Sequence, residues 1–148
     1  MEIRFVTAQS QDFRGLAAQL DAYYYTLVGD VQDRYAEPNR PENMDALAVV
    51  YDGGEAIACG AWKSREAGVA EIKRIFVLPQ FRRRGVASDL IRALEVNAME
   101  RGIRKFILET ATTTGQSHSL YLSLGYRVTD YYGSPAGEEN CLCFVKEC

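Results

Sequence analysis

The chain has 148 residues, near the commonest size for one domain, and 47% of them are hydrophobic, enough for a core without metal or disulfide staples. A net charge of −3 disfavours a nucleic-acid partner, whose phosphates would demand a broad basic face. With cysteines only at 59, 141, 143 and 148, a single histidine and no Cys-x-x-Cys pair, zinc-ligand spacing is missing, so reduced, mostly buried thiols and no metal are expected.

The chain opens Met-Glu-Ile-Arg-Phe and runs into polar sequence, without a secretory hydrophobic region or an apolar stretch long enough to span a bilayer. That reading predicts a soluble cytoplasmic protein with no membrane partner. Residues 3–6 read as a short strand. Phe13, Leu16, Ala17, Leu20, Tyr24, Leu27 and Val28 then recur at helical spacing, which makes one amphipathic helix. The polar stretch between Gly29 and Glu42, with Pro38 and Pro41, reads as a loop or a broken second helix.

Residues 46–51 and 56–62 are compact apolar runs separated by Asp52-Gly53-Gly54, a β-hairpin pattern, and residues 69–77 add a third antiparallel strand. Pro79 ends that strand. From Gly85 the residues Val86, Ala87, Leu90, Ile91, Leu94 and Ala98 share one helical face, with Gly102 as the expected C-cap. Residues 105–109 read as a buried strand, 117–124 as a short helix stopped by Gly125, and 127–130 and 142–146 as the last strands. This order predicts an α/β fold on a mixed sheet, with a right-handed strand–loop–helix–strand crossover after residue 69.

One segment concentrates the chemistry. Arg82-Arg83-Arg84-Gly85-Val86-Ala87 lies between a strand and a helix start, where unpaired backbone N–H groups and the positive end of the helix dipole favour phosphate oxygens. Gly85 and the small Ala87 permit close approach, and the arginines add charge-assisted hydrogen bonds. Arg82-x-x-Gly85-x-Ala87 resembles the Q/R-x-x-G-x-G/A signature of the GNAT superfamily of acyl-CoA-dependent N-acyltransferases. Downstream, Leu120-Tyr121-Leu122-Ser123-Leu124-Gly125-Tyr126 resembles that family's "LY...GF" segment, and the element order fits the family along nearly the whole chain.

The resemblance implies a single N-acetyltransferase domain over residues 1–148, with a GNAT-like mixed sheet of six to seven strands flanked by about four helices. It implies acetyl-CoA as co-substrate and a small amine acceptor, and it admits a homodimer. The backbone of Ile75, Phe76 and Val77 would pair with the pantetheine arm, and the pyrophosphate would lie against residues 82–88, from Arg82 through Val86 and Ala87 to Ser88. Arg83 and Arg84 read equally well as solvated charge.

Tyr121 matches the family tyrosine that protonates the departing thiolate, a step open to a phenol of ordinary pKa about 10. Glu71, eleven residues ahead of Arg82, stands where family members carry a glutamate that takes a proton from the amine. It also reads as a ligand for the cationic acceptor, or as the ion-pair partner of Lys73 or Arg74. Leu108, Glu109 and Thr110 would line the acyl pocket. The usual asparagine before the tyrosine is replaced by Thr112-Thr113-Thr114-Gly115, leaving Gln116 for the cofactor contact.

His118 lies one helical turn before Tyr121 and reads as structural, as do Tyr23, Tyr24 and Tyr25; Tyr131 and Tyr132 are candidates for an acceptor-side lid. Acidic Asp30, Asp33 and Glu37 would draw a cationic acceptor or simply be solvated. Two other functions fit the same fold: a catalytically idle acyl-CoA-binding regulatory module, and acetylation of a protein or peptide amine.

Overall fold

A computed structural model describes residues 1–29, 36, 38–111, 115–130 and 141–148, with backbone alone at 27, 28, 111, 115, 116 and 141. Seven strands form one sheet in the order β1-β2-β3-β4-β5-β7-β6. They are β1 (Glu2–Val6), β2 (Ala46–Asp52), β3 (Glu55–Glu66), β4 (Val69–Val77), β5 (Lys105–Ala111), β6 (Arg127–Thr129) and β7 (Cys141–Glu147). Three α-helices join them: α1 (Gln11–Val28), α2 (Val86–Met99) and α3 (Gly115–Ser123). Only the β4–β5 pair is parallel, so the sheet is mixed and the crossover through α2 is its one parallel connection.

The strands run longer than their apolar runs. β3 continues through Lys63, Ser64, Arg65 and Glu66 because these polar residues pair with β4 next to the turn that joins the two strands, where side chains reach water and only the backbone needs a partner. A 3₁₀ turn, Pro41–Asn43, precedes β2; residues 30–35 and 37, within the stretch expected as a loop or broken helix, lie outside the described residues. Asp30, Asp33, Glu37, residues 112–114, Tyr131 and Tyr132 lie outside the described residues.

Each face of the sheet carries its own core. On one face α1 lays Phe13, Leu16, Ala17 and Leu20 over Leu47, Val49, Cys59, Ala61 and Phe76. On the other, α2 buries Val86, Leu90, Ile91, Leu94 and Ala98 over Ala58, Trp62, Ala70, Ile72, Phe106 and Phe144. Each fully buried leucine or isoleucine contributes about 1.5–3 kcal/mol by leaving water, so the α2 stripe alone anchors the crossover. Ser10 caps α1 by accepting from the Phe13 N–H at 3.1 Å. Past Met99 the chain closes α2 in a Schellman motif, with Gly102 N–H on Met99 O at 3.0 Å and Ile103 N–H on Ala98 O at 3.2 Å.

Candidate active site

β4 and β5 touch only over Val69, Ala70 and Glu71, whose partners are Lys105, Phe106 and Ile107. Both strands run on beyond that rung, β4 to Val77 and β5 to Ala111, so the sheet opens into a split between them. β4 stays with β3 on its other side, and a bulge bends it there: Cys59 stands opposite Phe76 and Ala61 opposite Lys73, leaving Arg74 and Ile75 against Gly60 alone. A Cβ on Gly60 would lie 2.6 Å from Ile75 Cδ1, so the glycine lets the bulge seat. Ile75, Phe76 and Val77, the residues expected to offer backbone to a pantetheine arm, form the β4 side of the split.

Arg74 carries the cost of the bend in a left-handed φ of 61°. Its guanidinium donates to Ala17 O at 3.0 Å and to Asp21 Oδ1 at 2.8 Å on α1, and the Cys59 thiol donates to its carbonyl at 3.4 Å. The pair with Asp21 that holds this side chain leaves Lys73, not Arg74, beside Glu71. Burial pushes the Cys59 thiol up to about 12, which makes it an inert core group.

Beyond Val77 a 3₁₀ turn, Pro79–Phe81, leads into the basic loop. Arg83 has φ 64° and Gly85 φ 79°, so the backbone turns sharply twice before α2 begins. Gly85 is the N-cap and offers no side chain to the first-turn N–H groups of Val86, Ala87 and Ser88; the first helical bond is Asp89 N–H to Gly85 O at 3.1 Å. Those donors and the positive helix end suit a phosphate. The arginines differ in their commitments. Arg82 Nε donates to Val77 O at 2.9 Å and its guanidinium lies over the Phe76 ring, which ties loop to strand end, while Arg84 lies over Phe81.

The second motif folds as a helix stop. Gly125, at φ 94°, lets the chain reverse so that Gly125 N–H reaches Leu122 O at 3.1 Å and Tyr126 N–H reaches Tyr121 O at 3.0 Å, a Schellman closure of α3. The same turn lays Tyr126 edge-on to Tyr121, with ring centroids 6.0 Å apart. Tyr121 is buried and rests on Phe144, as does His118 one turn earlier. Burial pushes the Tyr121 phenol well above its ordinary value, and Tyr24 of α1 adds to the shift, so the hydroxyl holds its proton through the neutral range. Gln116 lies in the first turn of α3, its side chain outside the described residues.

Glu71 stands on the last rung before the split, 3% exposed, with Arg65 Nη1 at 2.7 Å and Lys73 Nζ at 3.7 Å from Oε1. Of the expected acyl-pocket residues, Leu108 and Thr110 are buried and Glu109 is partly so. Tyr23 and Tyr25 are exposed, whereas Tyr24 packs against the α1-side core. Sequence reasoning passed over Glu95, buried on α2, which accepts from Tyr126 Oη at 2.6 Å and Lys146 Nζ at 3.1 Å and so braces the tyrosine that packs on Tyr121. Its place beside Leu94 and Ala98 on the apolar stripe is the one available signal.

The model of the acetyltransferase (GNAT) family matches residues 10–126. An uncharacterized N-acetyltransferase, YjcF, of Bacillus subtilis is 37% identical over 87 residues, 59% of each chain, so the match spans less than two thirds of that relative. A Klebsiella pneumoniae protein described as an acyl-CoA N-acyltransferase superposes with TM-score 0.82 at 26% identity, over 99% of this chain and 96% of its own. A family acetyltransferase from Elizabethkingia anophelis, solved with acetyl-CoA bound, superposes with TM-score 0.74 at 20% identity, over 99% and 97%.

Proposed function

The chain belongs to the acetyltransferase (GNAT) family, and from that premise we propose that it is an acetyl-CoA-dependent N-acetyltransferase that acetylates the primary amine of a small molecule by direct attack in a ternary complex. The observation that carries the reading is the β4–β5 split, with an uncapped helix start at its β4 end. Residues 1–148 act as one domain, in the cytoplasm.

The residues present fit the co-substrate. Backbone N–H groups of Val86, Ala87 and Ser88, with Gly85 giving close approach and Arg82, Arg83 and Arg84 giving charge, would hold its phosphates. The free strand edge of Ile75, Phe76 and Val77 would align its arm, and Gln116 would face it from α3. The thioester supplies an activated acyl carbon with a thiolate as leaving group.

Glu71 takes a proton from the ammonium so that a lone pair is available, and a β4 backbone N–H meets the charge that develops on the carbonyl oxygen. Tyr121 gives its proton to the departing sulfur. No covalent enzyme intermediate is needed, because approach and orientation in the split supply the rate.

One observation favours a second reading, an idle acyl-CoA-binding module: the Glu71 carboxylate is already matched by Arg65 and Lys73. Release of free CoA thiol from acetyl-CoA, run against a panel of amines, amino acids and short peptides beside Tyr121→Phe, separates the two. Transfer is expected to fall about 10²–10⁴-fold in the variant, the usual contribution of a positioned acid, with acetyl-CoA affinity kept. Binding without turnover in the parent would leave only the module.

A further inference from the structure

Resting on the acetyltransferase reading, we propose that the acceptor carries a carboxylate as well as its amine, and that Lys73 is the group that binds it. The α1 face of the sheet decides which residues meet there. Lys73 pairs with Ala61, which lies in the core beneath α1, so Lys73 points to that face. Glu71 pairs with Lys63 on one side and Ile107 on the other, and two residues beyond Ile107 comes Glu109, again on the same face. The strands part after Glu71 and Ile107. Lys73 and Glu109 therefore stand on the two arms of the split, and Glu71 at its root.

Among the described residues this patch gathers three cations, Lys63, Arg65 and Lys73, against two anions, Glu71 and Glu109. Arg65 takes Glu71 at hydrogen-bond distance, 2.7 Å, while the Lys73 ammonium is 3.7 Å away, too far for one. The Lys73 side chain is 11% exposed, and its ammonium makes no hydrogen bond among the described residues, so it has donors still to place. Burial pushes its pKa down against the pull of Glu71, which means that the carboxylates present do not make up for the water it has lost. An acceptor carboxylate supplies the missing anion. Its amine then falls among Glu71 and Glu109, and a zwitterion leaves the charge of the patch unchanged. A polyamine would add only positive charge where, among the described residues, cations already outnumber anions.

The test uses acceptors matched but for the carboxylate: lysine against cadaverine, phenylalanine against phenethylamine, alanine against ethylamine. Thiol release gives kcat and KM for each with the parent, Lys73→Met and Lys73→Arg. The parent is expected to favour the carboxylated member by about tenfold or more in kcat/KM, the scale of one charged hydrogen bond. Lys73→Met should raise KM for that member by a similar factor over any change for the plain amine, and so erase the preference; Lys73→Arg should restore part of it. Equal use of both members, or preference for the plain amine, overturns the inference while the acetyltransferase reading stands. If no acceptor in the panel reacts, the CoA-loaded protein decides by melting temperature: an amino-acid-dependent rise abolished by Lys73→Met supports the site, and its absence overturns it.

Discussion

Arg74 Nη2 lies 2.8 Å from Asp21 Oδ1, and this bond fastens the bend of β4 to α1. The Arg74 side chain is 4% exposed and that of Asp21 46%, so the cation is committed to the interior while its partner keeps contact with water. Arg74 also sits at φ 61°, a conformation that costs a non-glycine residue about 1–2 kcal/mol. The bulge thus persists because packing and hydrogen bonds over-determine it.

Two substitutions separate the strain from the anchor. Arg74→Ala removes the bonds to Ala17 and Asp21 and keeps the strained φ; a loss of about 2–3 kcal/mol is expected, of the size found when buried polar contacts go. Arg74→Gly removes the same bonds and relieves the backbone, so it should be about 1 kcal/mol more stable than the alanine variant. Urea unfolding of the two variants measures the difference. An alanine variant as stable as the glycine one would mean that the bend carries no strain.

Stability should fall in alkali through the buried tyrosines. The phenols of Tyr121 and Tyr126 are held above their ordinary value by burial, that of Tyr126 also by its bond to Glu95. A group whose folded pKa is raised contributes fully below its unfolded pKa, about 10 for tyrosine, and loses that contribution as pH climbs toward the folded value. Each such group makes the unfolding free energy fall by about 1.4 kcal/mol per pH unit above pH 10 or so. Tyr126→Phe should therefore shallow the alkaline slope by about that amount, measured by urea titration at a series of pH values. An unchanged slope would show that Tyr126 titrates normally in the folded protein.

Much of this was legible along the chain because it depends on short spans. The stripe from Val86 to Ala98, the glycines at 85, 102 and 125, and the hairpin around Gly53 and Gly54 each declare themselves within a few residues. What escaped depends on pairing at a distance. Arg74 reads as an ordinary strand residue; only the offset between the Cys59–Phe76 and Ala61–Lys73 pairs makes it a bulge. Glu95 meets partners 31 and 51 residues away. β3 outruns its apolar run because residues 63–66 are held by backbone bonds that side-chain pattern does not record. Glu71 was marked by its position, but its bond to Arg65 was not, since that arginine reaches it across a hairpin.

The two left-handed residues of the basic loop respond in opposite ways. Gly85→Ala meets open space, with nothing within 4 Å of the new Cβ, so its cost is the backbone strain of φ 79°, about 1–2 kcal/mol, together with misdirected N–H groups. CoA affinity should drop about five- to tenfold by calorimetry. Arg83→Gly relieves φ 64° and should leave the melting temperature level or slightly raised. If Arg83 touches a phosphate, affinity falls with it and the salt dependence of binding flattens; a solvated Arg83 leaves both as they were.

Glu71 is an ion-pair partner of Arg65 and Lys73 and is proposed as the proton acceptor, and Glu71→Gln divides the two roles. The amide keeps the shape and can still meet Arg65 and Lys73 but holds no charge and takes no proton. Arg65 is 41% exposed and regains water; Lys73, at 11%, regains little. A stability loss of about 1–2 kcal/mol is expected for the uncompensated ammonium under either role. Catalysis is where the roles differ. As acceptor of the ammonium proton, Glu71 would be worth about 10²-fold or more in kcat, while acetyl-CoA affinity should stay unchanged because the basic loop lies beyond the end of the strand. As an anchor alone it would leave kcat within a few fold once the variant is folded. Arg65→Met sharpens the test: it frees the carboxylate of its nearest cation, so kcat should hold or rise if Glu71 receives the proton. A kcat that falls as far in Arg65→Met as in Glu71→Gln would instead assign the pair a positioning role.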